Sequence, residues 1–152
     1  MIKIIGGKFK GKSLKRIKIE NIRPTKSLVR KSVMDSIMFF EHKVILDLCC
    51  GIGSLGIEAI SRGASSVDFV DNSRKSLKLL SENLELFKIE NEHNIIYSDI
   101  IKFIKNSNKK YDIIFADPPY YKFDFLRILS YTKNMLKSGG LFIYESEKFH
   151  IN

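Results

Sequence analysis

The fold is decided by a stretch that reads Tyr111-Asp112-Ile113-Ile114-Phe115-Ala116-Asp117-Pro118-Pro119-Tyr120. Its continuous apolar run, residues 113–116, is typical of a central parallel strand that is covered on both faces. The two prolines cannot continue a helix or a strand ladder, so they end the strand. Ligands of open α/β sheets bind at this end of the strands, where Asp117 offers an acceptor and Tyr120 a flat ring. For this stretch alone, a simple strand end with a turn is an equally good interpretation.

Strand and helix patterns alternate along the chain from residue 44 onward. The predicted strands are 44–50, 67–70, 94–97, 113–116 and 141–144, and the predicted helices are 54–62, 73–87, 100–106 and 125–136. Gly63 is expected to close the first of these helices, and Gly139-Gly140 to stop the last. A further helix is predicted over 26–40, with a buried stripe of Val29, Val33, Ile37 and Phe40. Five strands separated by helices predict an α/β fold with a doubly wound parallel sheet.

Composition narrows the functional classes. The chain has 152 residues, 44% of them hydrophobic, which suits one domain with a substantial core. We find no apolar run long enough to span a membrane and no secretory signal. Cys49 and Cys50 are neighbours and the three histidines are scattered, so we expect no metal site and no disulfide. A reducing, cytoplasmic location is therefore predicted.

The positive charge lies at the N-terminal end of the chain. Residues 1–43 contain twelve Lys and Arg against three acids, whereas the remaining residues contain fourteen of each. Glycines around residues 6–11 predict a turn between two short strands, with Lys8, Lys10 and Lys12 on one face of the ribbon. This excess favours a polyanionic partner, and a merely solvated basic face is the alternative.

A glycine-rich loop follows the first predicted strand of the sheet. Asp47 precedes Gly51 and Gly53, which allow a ligand to approach the backbone. With Gly56 and Asp71 the loop also fits the dinucleotide fingerprint, so two cofactor classes compete. A nicotinamide or flavin enzyme needs a second nucleotide-binding half or a substrate domain, for which the chain has no room. S-adenosylmethionine needs only half of such a sheet, and we therefore favour it.

Acids stand at or near the ends of successive predicted strands, and each suits one part of S-adenosylmethionine. We expect Asp47 near the methionine end, Asp71 at the ribose hydroxyls and Asp99 at the adenine amino group. The neighbouring candidates for cofactor binding are Cys49, Gly51, Gly53, Asn72 and Ile100. Three such acids followed by Asp117-Pro118-Pro119-Tyr120 form a far more specific pattern than any one of them.

Together these residues resemble the bacterial 16S ribosomal RNA guanine-N2 methyltransferases of the RsmD type. The resemblance covers nearly the whole chain, and its most specific parts are Gly6-Gly7-Lys8 and the run 58–64, Glu-Ala-Ile-Ser-Arg-Gly-Ala. It implies a class I methyltransferase domain over 26–152, a basic RNA-binding extension over 1–25, and ribosomal RNA or a partly assembled small subunit as partner. The residues that it places at the RNA are Lys8, Lys10, Lys12, Arg23, Thr25, Arg30, Pro119 and Tyr120.

The chain departs from this family pattern after the fifth strand, where such sheets usually add an antiparallel hairpin. Residues 141–144 are then expected to form an exposed apolar edge. We expect this edge to pair with another chain or to be covered by the N-terminal ribbon, and a monomer otherwise. A truncated gene with weakened activity is the simpler alternative.

The predicted chemistry is direct methyl transfer to an aromatic amine. The Asp117 carboxylate and the Pro118 carbonyl can accept the two N–H groups, while Tyr120 stacks on the base. Glu58 and Arg62 are expected to pack the helix rather than to act in the reaction. The alternatives left open are a DNA adenine-N6 or cytosine-N4 methyltransferase, a glutamine-N5 protein methyltransferase, and an inactive RNA-binding or assembly module.

Overall fold

The computed structural model describes residues 1–16, 25–119 and 123–146, without the side chains of residues 25 and 26. The strands are β1 (Ile2–Lys3), β2 (Ser13–Leu14), β3 (Val44–Leu48), β4 (Ser66–Asp71), β5 (Glu92–Tyr97), β6 (Tyr111–Ala116) and β7 (Leu136–Tyr144). The α-helices are α1 (Thr25–Ser36), α2 (Ser54–Ser61), α3 (Arg74–Leu86), α4 (Ile100–Asn106) and α5 (Phe125–Thr132). Short 3₁₀ turns cover Gly7–Phe9 and Lys133–Met135.

The main sheet has five parallel strands in the order β5-β4-β3-β6-β7, which confirms the predicted architecture. The chain first proceeds outward from β3 to β5 and then returns to the other side of β3. The strand order therefore reverses between β3 and β6, and ligands of such sheets bind outside the carboxyl ends of the strands at this point. Ile45, Leu46, Ile113 and Ile114 of the two central strands are fully or almost fully buried, as the apolar runs predict.

Helices cover both faces of the sheet. On one face, α1, α2, α3 and the N-terminal ribbon (residues 1–15) share a core that includes Met34, Ile57, Leu80 and Phe9. On the other face, α4 and α5 contribute Ile100, Ile104 and Ile128 to a second core. Within the described part of the chain, no helix is both long and apolar enough to cross a membrane.

The end of α2 shows how local sequence sets an element boundary. Gly63 has φ +111° and follows the C-cap residue Arg62. Its N–H bonds to the Ile60 carbonyl, and the Ala64 N–H bonds to the Ala59 carbonyl, which is the Schellman pattern. The prediction that Gly63 closes this helix is confirmed.

The N-terminal ribbon is fastened to α2 by a buried carboxylate. The Glu58 side chain is fully buried and accepts the N–H groups of Ile5 and Gly6, each at 2.8 Å. It also accepts a bond from Arg62 Nε at 3.0 Å. A Cβ on Gly7 would lie 1.8 Å from the Ser61 carbonyl oxygen, so only glycine permits this approach. The structural roles predicted for Glu58 and Arg62 are confirmed.

Two predicted elements are wrong in part. Helix α1 ends at Ser36 rather than residue 40, and Val29 of its predicted buried stripe is 42% exposed, whereas Met34 is fully buried.

Gly139 and Gly140 do not stop a helix, because α5 ends at Thr132 and both glycines lie inside β7. They accompany a register shift between β6 and β7, where a Cβ on Gly140 would lie 3.1 Å from the Asp112 carbonyl oxygen. Glycine in a strand often marks such an irregularity.

Strand β7 is the last strand of the described sheet and pairs there only with β6. Leu141 is 46% exposed, while residues 142–144 are half-buried. The hydrogen bonds that residues 3, 6 and 15 of the ribbon make go to α1, α2 and α3, so they give no support in the described residues to the expectation that the ribbon covers β7. Pairing of this edge with a second chain stays a prediction.

Candidate active site

Strand register brings the four predicted acids to one rim of the sheet. Leu48 at the end of β3 lies level with Val70 on one side and Ala116 on the other, and Asp71 lies level with Tyr97 of β5. The acids stand within two residues of these ends, at Asp47, Asp71, Asp99 and Asp117. The rim therefore carries four carboxylates across four adjacent strands.

The loop after β3 turns sharply beneath this rim. Cys49 has φ +56°, an uncommon backbone conformation for a residue with a Cβ, and Gly51 and Gly53 have φ +55° and +85°. A Cβ on Gly53 would lie 2.3 Å from Leu80 Cδ1, so this glycine lets α3 pack directly on the loop. At Gly51, by contrast, a Cβ would meet no atom within 4 Å. The loop thus presents bare backbone to open space at Gly51.

Asp47 is the most strongly perturbed acid of the site. Its side chain is only 1% exposed, and its Oδ2 accepts the Gly56 N–H at 2.9 Å. Burial is the main cause that raises the pKa of Asp47 to about 8; the hydrogen bond from Gly56 opposes this rise, and the charges of Asp117 and Asp71 contribute to it. Asp47 therefore holds the start of α2 through the Gly56 N–H, and its carboxyl is mostly protonated at neutral pH in the free protein.

Asp71 and Asp99 organise the backbone on the other side of the loop. Asp71 accepts the Gly51 N–H through Oδ2 and the Ser73 N–H through Oδ1, both at 2.8 Å. Asp99 is exposed and caps α4 by accepting the Lys102 N–H at 3.0 Å. Because a carboxylate has about four acceptor positions, both residues retain capacity for a ligand.

The remaining predicted cofactor residues differ in accessibility. Asn72 is exposed beside Asp71, whereas the Ile100 side chain is buried in the second core. Cys49 is half-buried and Cys50 is buried, and both are free thiols. No group of three or more His, Cys, Asp or Glu side chains among the described residues is arranged to hold a metal ion.

The corner after β6 completes the rim. The Asp117 N–H bonds to the Leu48 carbonyl at 3.3 Å, which ties the corner to the end of β3. Pro118 is buried and Pro119 exposed. Tyr120, predicted to stack on the substrate, lies outside the described residues.

Electrostatics show how closely the acids gather. Burial raises the pKa of the Cys49 thiol to about 12, and the charges of Asp71, Asp117, Asp47 and Asp99 all add to this rise. All four carboxylates thus affect the pKa of this one thiol. The crevice is strongly anionic, so it suits a cationic ligand and disfavours a phosphate.

Sequence reasoning missed an aromatic cluster beside the corner. Tyr144, at the end of β7, lies level with Ala116, and its ring contacts Phe125 at 4.8 Å between centroids. Burial raises the pKa of Tyr144, and the charges of Cys49, Asp124 and Asp117 raise it further, which places this ring near the rim. The available signal was an aromatic residue at the end of the fifth predicted strand.

Three of the predicted RNA-binding residues are lysines of the N-terminal ribbon. Lys8, Lys10 and Lys12 are exposed, but residues 7–9 form a 3₁₀ turn, so the strand alternation predicted for them is wrong. The ammonium group of Lys12 lies 5.1 Å from the Phe9 ring and 5.7 Å from the ring of Phe87, which follows α3.

Arg30 is tied to the ribbon. Its Nη2 donates to the Lys3 carbonyl at 2.7 Å, and its buried Nε has no hydrogen-bond partner among the described residues. Arg23 and the side chain of Thr25 lie outside the described residues.

Comparison with known proteins shows the family of the chain. A family model described as conserved hypothetical protein 95 matches residues 2–151. The ribosomal RNA small subunit methyltransferase D of Buchnera aphidicola subsp. Baizongia pistaciae is 36% identical over 96% of this chain and 76% of its own length. The chain belongs to the ribosomal RNA small subunit methyltransferase D family.

Solved structures with a similar fold include proteins named as methyltransferases. The Escherichia coli protein yhhF superimposes with a TM-score of 0.83 at 27% identity, over 97% of this chain and 82% of that chain. A SAM-dependent methyltransferase from Agrobacterium tumefaciens, at 23% identity, shares the fold with a TM-score of 0.70 over 85% of this chain and 46% of that chain. The five-stranded sheet is thus a class I methyltransferase fold, as the sequence predicted.

Proposed function

We propose that this protein transfers a methyl group from S-adenosylmethionine to the exocyclic N2 amine of a guanine in 16S ribosomal RNA. The observation that carries the proposal is that strand register brings four carboxylates to one rim at the switch point of the sheet. Membership of the ribosomal RNA small subunit methyltransferase D family supports the RNA substrate. Such a substrate implies that the reaction takes place in the cytoplasm, where ribosomes assemble.

The anionic rim fits S-adenosylmethionine better than a dinucleotide. When bound, this cofactor supplies an electrophilic methyl group on a sulfonium, and it carries two cationic centres and no phosphate. Asp71 and Asp117 would repel a pyrophosphate and attract these cations, and a bound cation would also favour the ionised form of Asp47. The open space at Gly51 leaves room for a ligand against the backbone.

Each acid has a distinct part in holding the cofactor. Asp71 shapes the loop through Gly51 and keeps acceptor positions for ribose hydroxyls. Asp99, exposed at the start of α4, is placed for an adenine amino group. Asp47 adds negative charge beneath the methionine end, and Cys49, Gly51, Gly53, Asn72 and the backbone of Ile100 line the remainder.

The corner after β6 would hold the acceptor. An aromatic amine is a poor nucleophile because its lone pair is delocalised into the ring. Asp117 and the Pro118 carbonyl can accept its two N–H groups, which leaves the lone pair directed at the methyl group. Such positioning can lower a barrier by up to about 7–11 kcal/mol. Asp117 also stabilises the positive charge that develops on the nitrogen, while Pro119 and Tyr120 contact the base.

RNA binding is assigned to the N-terminal part of the chain, within the extension over 1–25 and at the start of α1. Lys8, Lys10 and Lys12 would contact phosphates remote from the target base, because the ribbon turn packs near Phe87 rather than at the rim. Arg23, Thr25 and Arg30 would contact RNA as the chain enters α1. Phosphate contacts of this kind position the nucleic acid without reading its sequence.

The test is transfer of isotopically labelled methyl to 16S ribosomal RNA, naked and in a partly assembled subunit, with the modified nucleoside identified by mass spectrometry. We expect N2-methylguanosine from the wild type and none from Asp117→Ala, whose cofactor affinity should stay within a few-fold of the wild type. Asp112→Ala, at the opposite end of β6, is the matched control and should retain transfer. In a parallel reaction with DNA, label in adenine or cytosine together with no label in the RNA would contradict the proposal.

A further inference from the structure

Asn83 links the N-terminal ribbon to the glycine loop through one buried side chain. It lies on α3 and is fully buried. Its Oδ1 accepts the Lys15 N–H at 2.7 Å, and its Nδ2 donates to the Lys15 carbonyl at 3.1 Å and to the Ile52 carbonyl at 3.4 Å. The amide therefore pairs with both backbone groups of Lys15, as a neighbouring strand would, and still reaches a third partner.

The two segments that Asn83 joins have different functions in the proposed reaction. Lys15 directly follows β2, where the ribbon ends. Ile52 stands between Gly51 and Gly53, in the loop that faces the cofactor crevice. Leu80, one turn earlier on α3, packs against Gly53, so α3 supports this loop at two neighbouring positions. The Asn83 amide therefore joins Lys15 directly to the loop at Ile52.

We propose that Asn83 is a positioning residue that couples RNA binding by the ribbon to cofactor binding by the glycine loop. The inference rests on the proposed function, since it takes RNA and S-adenosylmethionine as the two ligands. A ligand that orders one end of the Lys15–Asn83–Ile52 connection leaves less to be ordered at the other end. By thermodynamic linkage the effect is reciprocal: RNA strengthens cofactor binding by the same factor as the cofactor strengthens RNA binding.

The experiment measures this factor by calorimetry. S-adenosylhomocysteine, which transfers no methyl group, is titrated into the protein with and without a 16S ribosomal RNA fragment. For the wild type we expect RNA to raise the affinity about fivefold or more. Asn83→Asp keeps an acceptor for Lys15 but loses both Nδ2 donations, and should bring the factor close to one. Asn91→Asp is the matched control, because it loses the Nδ2 donation to the Ala64 carbonyl, away from the loop, and should keep the factor.

A second pair of variants tests the same connection from the ribbon side. Lys15→Pro removes the N–H that Asn83 accepts, and should lower the factor while leaving Asn83 in place. Lys15→Ala keeps that N–H and removes only the exposed ion pair with Glu82 at 3.3 Å, and should leave the factor unchanged. Hydrogen exchange of the Lys15 amide in the wild type keeps the test available if a variant fails to fold, because its protection should rise when S-adenosylhomocysteine binds.

The outcomes separate this inference from the proposed function. If both ligands bind the wild type but the factor is one, or folded Asn83→Asp retains the wild-type factor, the coupling role is overturned and the proposed function stands. Unchanged protection of the Lys15 amide overturns it equally. If the wild type binds S-adenosylhomocysteine but neither binds nor methylates the RNA, the proposed function itself fails.

Discussion

Replacement of Asp47 by Asn tests the electrostatics of the crevice most sharply. At pH 7 a carboxyl group with a pKa of about 8 is about nine-tenths protonated, so the free protein holds a proton there. A cationic cofactor near Asp47 favours the ionised form, and binding should therefore release this proton. We expect the release to approach one proton per cofactor well below pH 8 and to diminish as the pH rises through about 8.

Calorimetry in buffers of different ionisation enthalpy measures this release directly. The heat of cofactor binding should depend on the buffer at pH 7 for the wild type. Asn keeps an oxygen for the Gly56 N–H but cannot ionise, so the variant should show only the protons released by the ligand itself. Equal release by wild type and Asp47→Asn would refute the assignment of the proton to Asp47.

Asp47→Asn should also change how the stability of the free protein depends on pH. Because the folded-state pKa of Asp47 is raised, the native state binds more protons than the unfolded state between pH 4 and pH 8. The free energy of unfolding should fall as pH rises through this window, by at most about 5 kcal/mol. Asp47→Asn should flatten this fall in urea denaturation series, and should bind the cofactor more weakly.

Three further sets of substitutions test other parts of the structure. Gly53→Ala should lower the free energy of unfolding by about 1–3 kcal/mol in urea denaturation, because its Cβ would clash with Leu80 at a left-handed backbone position. Gly51→Ala should lower it less because a Cβ there meets open space, and an equal loss would contradict this description of the loop. Replacing Lys8, Lys10 and Lys12 by Ala should flatten the salt dependence of RNA binding by about 0.7–0.9 for each phosphate that is no longer neutralised, whereas a control triple at the exposed Lys105, Lys110 and Lys133 should not. Tyr111→Phe removes the O–H that donates to buried Asp68 at 2.7 Å and should lower the free energy of unfolding by about 1.5–3 kcal/mol. An unchanged free energy of unfolding would mean that the remaining partners satisfy Asp68 fully.

Elements with local signals at both ends were predictable from the sequence. Helix α4 was predicted with its observed bounds, because Asp99 caps its start and an apolar period covers its short length. The acids of the rim were predictable for a related reason: each follows an apolar run, and parallel strands carry all such ends to one edge.

Features that depend on packing between distant segments were not predictable. Gly139 and Gly140 follow a helical pattern, and only the register of β7 against β6 shows why glycine is needed there. The buried position of Asp47, and hence its raised pKa, depends on how the glycine loop closes over it. Asn83 carried no signal beyond its place on a helix, since its partners lie 68 and 31 residues away.

The most direct test of the account is a crystal structure with S-adenosylhomocysteine bound. We predict that the ribose contacts Asp71, the adenine lies beside Asp99, and the sulfur faces the corner at Asp117 and Pro118. Binding at another place, such as the shallow depression between α3 and β5 lined by Leu84, Ile89 and Ile95, would contradict the central claim that the four-carboxylate rim is the site of methyl transfer.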